Sequence, residues 1–285
     1  MSNLFEKPVV VIDNGSYNIK AGFACDNHPV SIFRTAVGRP KYLQGSYGKT
    51  PYEVFIGDDA LERCEELDLC YPVVRGKIWH WDNMERVWHH IFYRELKSAP
   101  EDRAVLLSCA PSTTIKDKTK SCEIFFETLN APALCVKPQS FLALFAAGYT
   151  TGVSVDLGED ITEINPVYEG GSITYANMET NVAGCEVKKY IKDSLKNRGY
   201  DIDQFGTRES DKILNDLWNL IYITPTCAVT MQQYKKEYTL PNGELIDVSD
   251  EVFQAGEMYF QPEAVLGEKS DKMSIQEALV ISVLK

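Results

Sequence analysis

The sequence predicts an α/β protein of two similar halves, and three observations carry that reading. An apolar strand, an Asp-x-Gly turn and a second strand occur in that order at Asp13 and again at Asp156, 143 residues later. Amphipathic helices with apolar residues three and four positions apart follow each copy. The composition, 44% hydrophobic and 25% charged over 285 residues, is globular and long enough for one domain or for two lobes around a cleft.

Each element has a local cause. Val9-Val10-Val11-Ile12 is a β-branched run suited to a buried strand, Asp13-Asn14-Gly15 makes a tight turn, and residues 18–23 form the second strand. Residues 29–66 are rich in Gly, Tyr and turn formers and read as a small excursion whose most flexible tip is 44–48. Asp82 or Asn83 caps a helix whose stripe is Met84, Val87, Trp88, Ile91, Phe92 and Leu96, and Pro100 stops it. Residues 104–109 form a buried strand. A helix over 118–129 turns Cys122, Phe125, Phe126 and Leu129 inward, and a short one over 139–147 ends at Gly148.

The second copy of the design is a strand over 153–158 with its partner over 161–167, followed by a turn at Gly170-Gly171. Helices follow over 185–197 (Val187, Tyr190, Ile191 and Leu195 inward) and over 209–220 (Ile213, Leu214, Leu217 and Trp218 inward). A hairpin spans 238–248 across Pro241-Asn242-Gly243, and a last helix covers 275–284.

Charge and cysteine usage exclude several function classes. Twenty-nine Lys and Arg against 41 Asp and Glu leave a net charge of -12, which repels nucleic acid and anionic lipid; partners with basic patches are expected instead. Residues 1–7 lack the apolar core of a secretory signal, and the longest apolar run, 141–147, is too short to cross a bilayer. Eight scattered cysteines without a CxxC pair read as reduced thiols of a cytosolic or nuclear protein, not as zinc ligands. The paired His89-His90 reads as helix packing.

The two Asp-x-Gly turns carry the chemistry. Glycine in such a turn lets successive backbone amides approach phosphate oxygens, and an aspartate at the strand end meets a hydrated Mg²⁺. Two turns facing each other would clamp a triphosphate. Each tripeptide alone also ends many ordinary hairpins.

Longer segments make the pattern specific. Val11-Ile12-Asp13-Asn14-Gly15-Ser16 with Ile19-Lys20-Ala21-Gly22-Phe23-Ala24 resembles the first phosphate loop of actin and the actin-related proteins. Val37-Gly38-Arg39-Pro40, Tyr71-Pro72, Trp81-Asp82-Asn83-Met84-Glu85 and Trp88-His89-His90 resemble further family segments. Thr150-Thr151-Gly152, Tyr168-Glu169-Gly170, Leu240-Pro241-Asn242-Gly243 and Phe260-Gln261-Pro262 follow in family order. The resemblance implies the actin/Hsp70/sugar-kinase fold, two α/β lobes with a nucleotide cleft. The first lobe would cover 1–148, with a small subdomain over 35–71. The second would cover 149–285, with a subdomain over 183–271.

Carried over by position, the resemblance implies that Asp13, Gly15, Ser16 and Lys20 contact phosphate and metal, and that Asp156 and Gly158 form the second loop. Gly184 would line the adenine side, and Gln139 would orient the attacking water. ATP or ADP is the implied ligand, with Mg²⁺ held through water by Asp13 and Asp156. Lys20 equally fits an exposed strand lysine, and Gln139 a helix cap.

The second loop departs from the family. Leu157 stands for a usual Ser, Asp160 for a second Gly, and Glu163 for a His that helps the water. Asp160 would set a carboxylate beside the terminal phosphate; at about 4 Å and an effective dielectric of about 20 the repulsion is on the order of 4 kcal/mol. That is roughly a thousandfold in affinity unless a cation offsets it. Glu163 is a general-base candidate, yet a carboxylate facing phosphates lacks the neutrality that suits the role. Cys185, Leu217 and Trp218 stand near the implied adenine side, Leu217 and Trp218 also fitting helix core, and Arg75 replaces a histidine near the hinge.

Family members continue well beyond the equivalent of Lys285, so the resemblance implies a second lobe incomplete at its C-terminus, with a fragment or a covering partner as the two expectations. For polymer contacts, Gly171 lacks a family aromatic, and Ala264-Val265-Leu266 stand for the apolar plug ahead of the charged stretch 268–272. The expected function is a nucleotide-binding structural subunit of a cytoskeletal or chromatin-associated assembly, cytoplasmic or nuclear, contacting other actin-fold or cytoskeletal subunits, with weak or no ATP hydrolysis. A filament-forming ATPase is the alternative. A small-molecule kinase of the superfamily ranks last, because the helix from Met84 to Leu96 and the Tyr71-Pro72 segment are actin-like.

Overall fold

The computed structural model describes residues 7–41, 53–221, 235–267 and 272–285. The tip expected at 44–48, Cys227 and residues 268–271 of the charged stretch lie outside them. The chain divides into two compact units, Met1–Gly152 with Val167–Thr174, and Val153–Pro166 with Tyr175–Lys285.

In the first unit, β1 (Val10–Asn14) pairs antiparallel with β2 (Asn18–Phe23), which pairs with β3 (Ser31–Arg34). A small three-stranded sheet combines β4 (Val37–Pro40), β5 (Phe55–Ile56) and β6 (Leu67–Cys70), with α1 (Asp58–Glu62) against it. A two-stranded hairpin joins β7 (Val73–Val74) and β8 (Lys77–Ile78) through Arg75 at φ 50 and Gly76 at φ 70. After α2 (Trp81–His90), strand β9 (Val105–Cys109) enters parallel to β1. Helix α3 (Ile115–Glu123) leads to β10 (Leu134–Pro138), parallel to β9, and α4 (Gln139–Ala146) follows at once. The main sheet therefore runs β10-β9-β1-β2-β3.

Its core holds Ile12, Ile19, Leu107, Trp88, Phe92 and Phe125, so the sheet's apolar alternation and the two helical stripes meet as one cluster. Four expectations need correction. Helix α2 begins at Trp81 after His80, with no side-chain cap, and Asp82 lies in its first turn, where the helix dipole favours a carboxylate. The α2 rod ends in a π-helical turn, Ile91–Glu95, and the chain leaves the helix at Leu96, before Pro100. Helix α3 starts three residues earlier than expected because the Thr114 hydroxyl accepts from the Asp117 amide at 3.2 Å. It too ends in a π-helical turn, Ile124–Thr128, whose extra residue rotates the stripe: Ile124 and Phe125 are buried, and Phe126 is 45% exposed.

The chain passes into the second unit along β11 (Gly152–Leu157) and returns along β12 (Thr162–Tyr168) to β13 (Gly171–Ser172) before β14 (Met178–Thr180). Within the second unit β12 pairs antiparallel with β14, setting Glu163 opposite Glu179. Helix α5 (Gly184–Asn197) buries Val187, Ile191 and Leu195, and α6 (Thr207–Trp218) buries Ile213 and Leu217. The hairpin β15 (Glu237–Thr239) and β16 (Leu245–Asp247) is followed by α7 (Ser249–Glu257), α8 (Pro262–Leu266) and α9 (Ile275–Leu284). A capping box between Ser274 and Glu277 starts α9. The core of this unit gathers Val182, Val187, Ile191, Leu217 and Tyr259. Tyr190 is only half-buried; the buried partner on α5 is Lys188.

Candidate functional site

Asp13 is the last residue but one of β1, next to a turn that only glycine fits at position 15. A Cβ on Gly15 would stand 2.4 Å from the carbonyl oxygen of Asn18, a backbone atom that cannot step aside. The β1–β2 register sets Asp13 opposite Lys20, with Nζ 3.6 Å from Oδ2. The other carboxylate oxygen accepts from the Ser108 hydroxyl at 2.7 Å and from Gln139 Nε2 at 2.9 Å. Ser108 Oγ in turn accepts from the Asn14 amide, and Trp88 Nε1 donates to Asn14 Oδ1 at 3.4 Å. Thr35 Oγ1 donates to the Gly15 carbonyl at 2.8 Å, which ties the turn to the far side of the sheet.

Of the residues expected at this turn, Asp13, Lys20 and Gln139 are brought together. Gln139 is the first residue of α4, but its side chain makes no cap; it reaches back to β1 and β9. The capping alternative is thereby replaced by a direct contact with Asp13. Ser16 is half-buried in the same turn. Sequence reasoning missed Ser108, Thr35 and Asn14. Ser108 left one trace, a lone hydroxyl in the apolar run Val105-Leu106-Leu107-Ser108-Cys109.

The second turn repeats the backbone device. The Gly158 amide donates to the Ile161 carbonyl at 3.0 Å, and a Cβ on Gly158 would lie 2.6 Å from that same oxygen. The start of α5 closes on this turn: the Gly184 amide donates to the Gly158 carbonyl at 3.0 Å and the Cys185 amide to the Glu159 carbonyl at 2.7 Å. Gly184 is where it is because Glu159 packs on it; a Cβ there would meet Glu159 Oε2 at 2.8 Å and its Cα at 3.1 Å. The Glu159 carboxylate is held by Lys188 Nζ at 2.8 and 3.0 Å, and Lys188 is 8% exposed.

Charge at this turn differs from the expectation in one respect. Glu163 is buried, and burial, followed by Glu179 and Asp156, pushes its carboxyl up from 4.5 to about 7. It is thus not a fixed negative charge at neutral pH: desolvation penalises the ion, and two neighbouring carboxylates add to that. Burial and then Asp160, Glu159 and Glu186 likewise raise the Cys185 thiol, which keeps it protonated. Asp156 is exposed and Asp160 half-buried.

The remaining candidates resolve individually. Leu217 is fully buried core, and Trp218 packs edge-on against Tyr259 with Lys188 Nζ 5.8 Å from its ring. Arg75 occupies the left-handed position of the β7–β8 turn. His89 stacks on Tyr93, and His90 meets Phe33 edge-on and Glu95 at 2.9 Å. Among the described residues no group of three or more His, Cys, Asp or Glu is placed to hold a metal ion, and no helix is long and apolar enough to cross a membrane.

The family model described as Actin matches residues 5–285, nearly the whole chain. The chain belongs to the actin family, and its mixed sheet and helices are those of an actin-like fold.

Proposed function

We propose that this member of the actin family binds ATP or ADP with Mg²⁺ and serves as a structural subunit of a cytoskeletal or chromatin-associated assembly, with weak or absent hydrolysis. The observation that carries this reading is the contrast between a first turn equipped for phosphate and a second turn crowded with carboxylates. The first turn fits the ligand: Lys20 is half-exposed, Gly15 permits the tight backbone bend, and Asp13 is oriented by Ser108 and Gln139 while its pair with Lys20 stays loose at 3.6 Å. Asp13 would meet Mg²⁺ through water, and Gly15, Ser16 and Lys20 would hold phosphate. The bound ion would neutralise phosphate charge there. The sequence pattern adds Asp156, Gly158 and Gly184 as the second unit's contribution.

At that second turn the amides of Gly184 and Cys185 already serve protein carbonyls, so they are not free to donate to a phosphate. Glu159, Asp160 and Glu163 bring three carboxyl groups to one loop and the strand after it. Such a loop supports architecture better than phosphoryl chemistry, which relies on converging positive charge. A base with the protonation of Glu163 is still available, and Gln139 is anchored, so slow turnover rather than none is consistent with the groups present. Partners would be other actin-fold or cytoskeletal subunits.

The deciding measurement is chromatography of nucleotide released from purified, denatured protein, paired with phosphate release under Mg-ATP. Near-stoichiometric adenine nucleotide with turnover close to background is expected. Steady, magnesium-dependent hydrolysis with pelletable filaments would instead establish the filament-forming ATPase.

A further inference from the structure

A second site lies within the first unit, on residues other than those of the Asp13 turn. The small sheet β4–β5 and the rod formed by α2 with its π-helical turn enclose a groove of about 680 Å³. That volume lies within the range of ligand pockets. Arg39, Arg86 and Arg94 line it with His89 and Tyr93, and Val54 and Ile56 supply an apolar edge.

The arginines are the unusual part. Arg39 Nη2 donates to the amide oxygen of Asn83 at 2.7 Å, so its hydrogen bond is made while its charge is left unneutralised. Arg86 and Arg94 are exposed, and no carboxylate among the described residues lies within ion-pair distance of any of the three. Three guanidiniums therefore line one groove without a direct ion pair, on a chain whose net charge is -12. The π-helical turn shapes the wall. Its added residue keeps Ile91 and Phe92 in the core while leaving Tyr93 54% exposed beside Arg94, with its ring stacked on His89 at 5.8 Å.

The lining also selects the class of ligand. Asp82 and Glu85 stand in the same groove, and they repel a compact polyanion such as a phosphate cluster. Separated carboxylates that each reach one guanidinium fit better, since arginine forks pair two-pronged with carboxylates. Val54, Ile56 and the Tyr93 ring add room for an apolar side chain, and exposed Tyr beside Arg is the composition of interface anchors. The chain's own residues 42–52 contain Lys49 and no carboxylate, so they do not supply the complement.

We propose that the groove bounded by Arg39, Arg86, Arg94 and Tyr93 is a docking site for an acidic peptide segment of another protein, one in which carboxylates flank an apolar side chain. It is independent of the nucleotide reading, because every residue it uses lies away from both phosphate turns in sequence and in the contacts described.

Fluorescence anisotropy on the full chain tests this with a labelled pentapeptide in which glutamates flank a central leucine. The expected result is micromolar binding at low salt that weakens as salt rises. Replacing the glutamates by glutamine should cost roughly tenfold or more. Arg86→Glu with Arg94→Glu should abolish binding, while Lys116→Glu with Lys189→Glu, an equal change in net charge on exposed residues elsewhere, should leave it intact. Arg86 and Arg94 are exposed, so the doubly substituted protein is expected to keep the parent's circular dichroism. No binding to the parent protein, equal loss in both double variants, or displacement by inorganic tripolyphosphate at the peptide's own affinity would each overturn the proposal.

Discussion

The two Asp-x-Gly turns share a backbone device and differ in what surrounds the acid. Both use a glycine because a carbonyl oxygen three residues on leaves no room for a Cβ. Around Asp13 the neighbours are donors: the Ser108 hydroxyl, the Gln139 amide and the Lys20 ammonium. Around Glu163, beside the second turn, the neighbours are the acids Glu179 and Asp156, and Lys188 holds the Glu159 carboxylate. A repeated turn thus does not imply a repeated site; the side chains delivered from other elements decide whether the turn attracts or repels phosphate.

The largest expected effect probes the support under the first turn. Trp88 is fully buried, 4.8 Å from Phe125, and bonded to Asn14. Trp88→Ala should cost about 3–5 kcal/mol in urea unfolding, from lost burial and the cavity left behind. Retained stability would mean that the first turn does not depend on that core.

The second effect belongs to Glu163. Its folded value, about 7, lies above its ordinary 4.5, so the folded state holds the proton more tightly. Its contribution to stability is complete below about pH 4.5 and is lost as pH rises through about 7, a change of about 3 kcal/mol. Glu163→Gln should flatten that part of the stability–pH profile and leave the variant more stable than the parent at pH 8. An unchanged profile would mean that Glu163 titrates as an exposed carboxylate.

Next comes a matched pair of glycines. Gly15→Ala and Gly158→Ala each force a Cβ against a backbone oxygen, at 2.4 and 2.6 Å, and each should cost roughly 1–3 kcal/mol. Their effects on bound nucleotide should diverge: Gly15→Ala should release it, Gly158→Ala should release much less. Equal release would show that both turns grip the ligand alike.

Smallest is Lys20→Ala. The pair with Asp13 is long and half-exposed, so melting should shift by less than about 1 kcal/mol. Nucleotide content should fall more than stability does, which separates a ligand-facing lysine from an ordinary strand lysine.

Much of the first turn was legible beforehand, because β-branched runs and Asp-x-Gly chemistry act over a few residues. Strand Asn18–Phe23 and helix Ile275–Leu284 fall where the pattern put them. The errors have local causes too. Phe126 faces outward because a π-helical turn breaks the 3.6-residue period, and no residue pattern read at that period signals the break. Gln139 looked equally like a cap, since its partner Asp13 is 126 positions away.

What the sequence alone determined is whatever depends on neighbours in the chain: the strand runs, the glycine turns, the helical stripes, the acidic balance and membership of a family. Tertiary structure alone decided which donors reach Asp13, that Glu159 occupies the start of α5, and that Glu163 holds a proton near neutrality. Hydrogen-bond partners and desolvation come from segments far apart in sequence, and a carboxyl group's proton affinity follows from the medium those segments build around it.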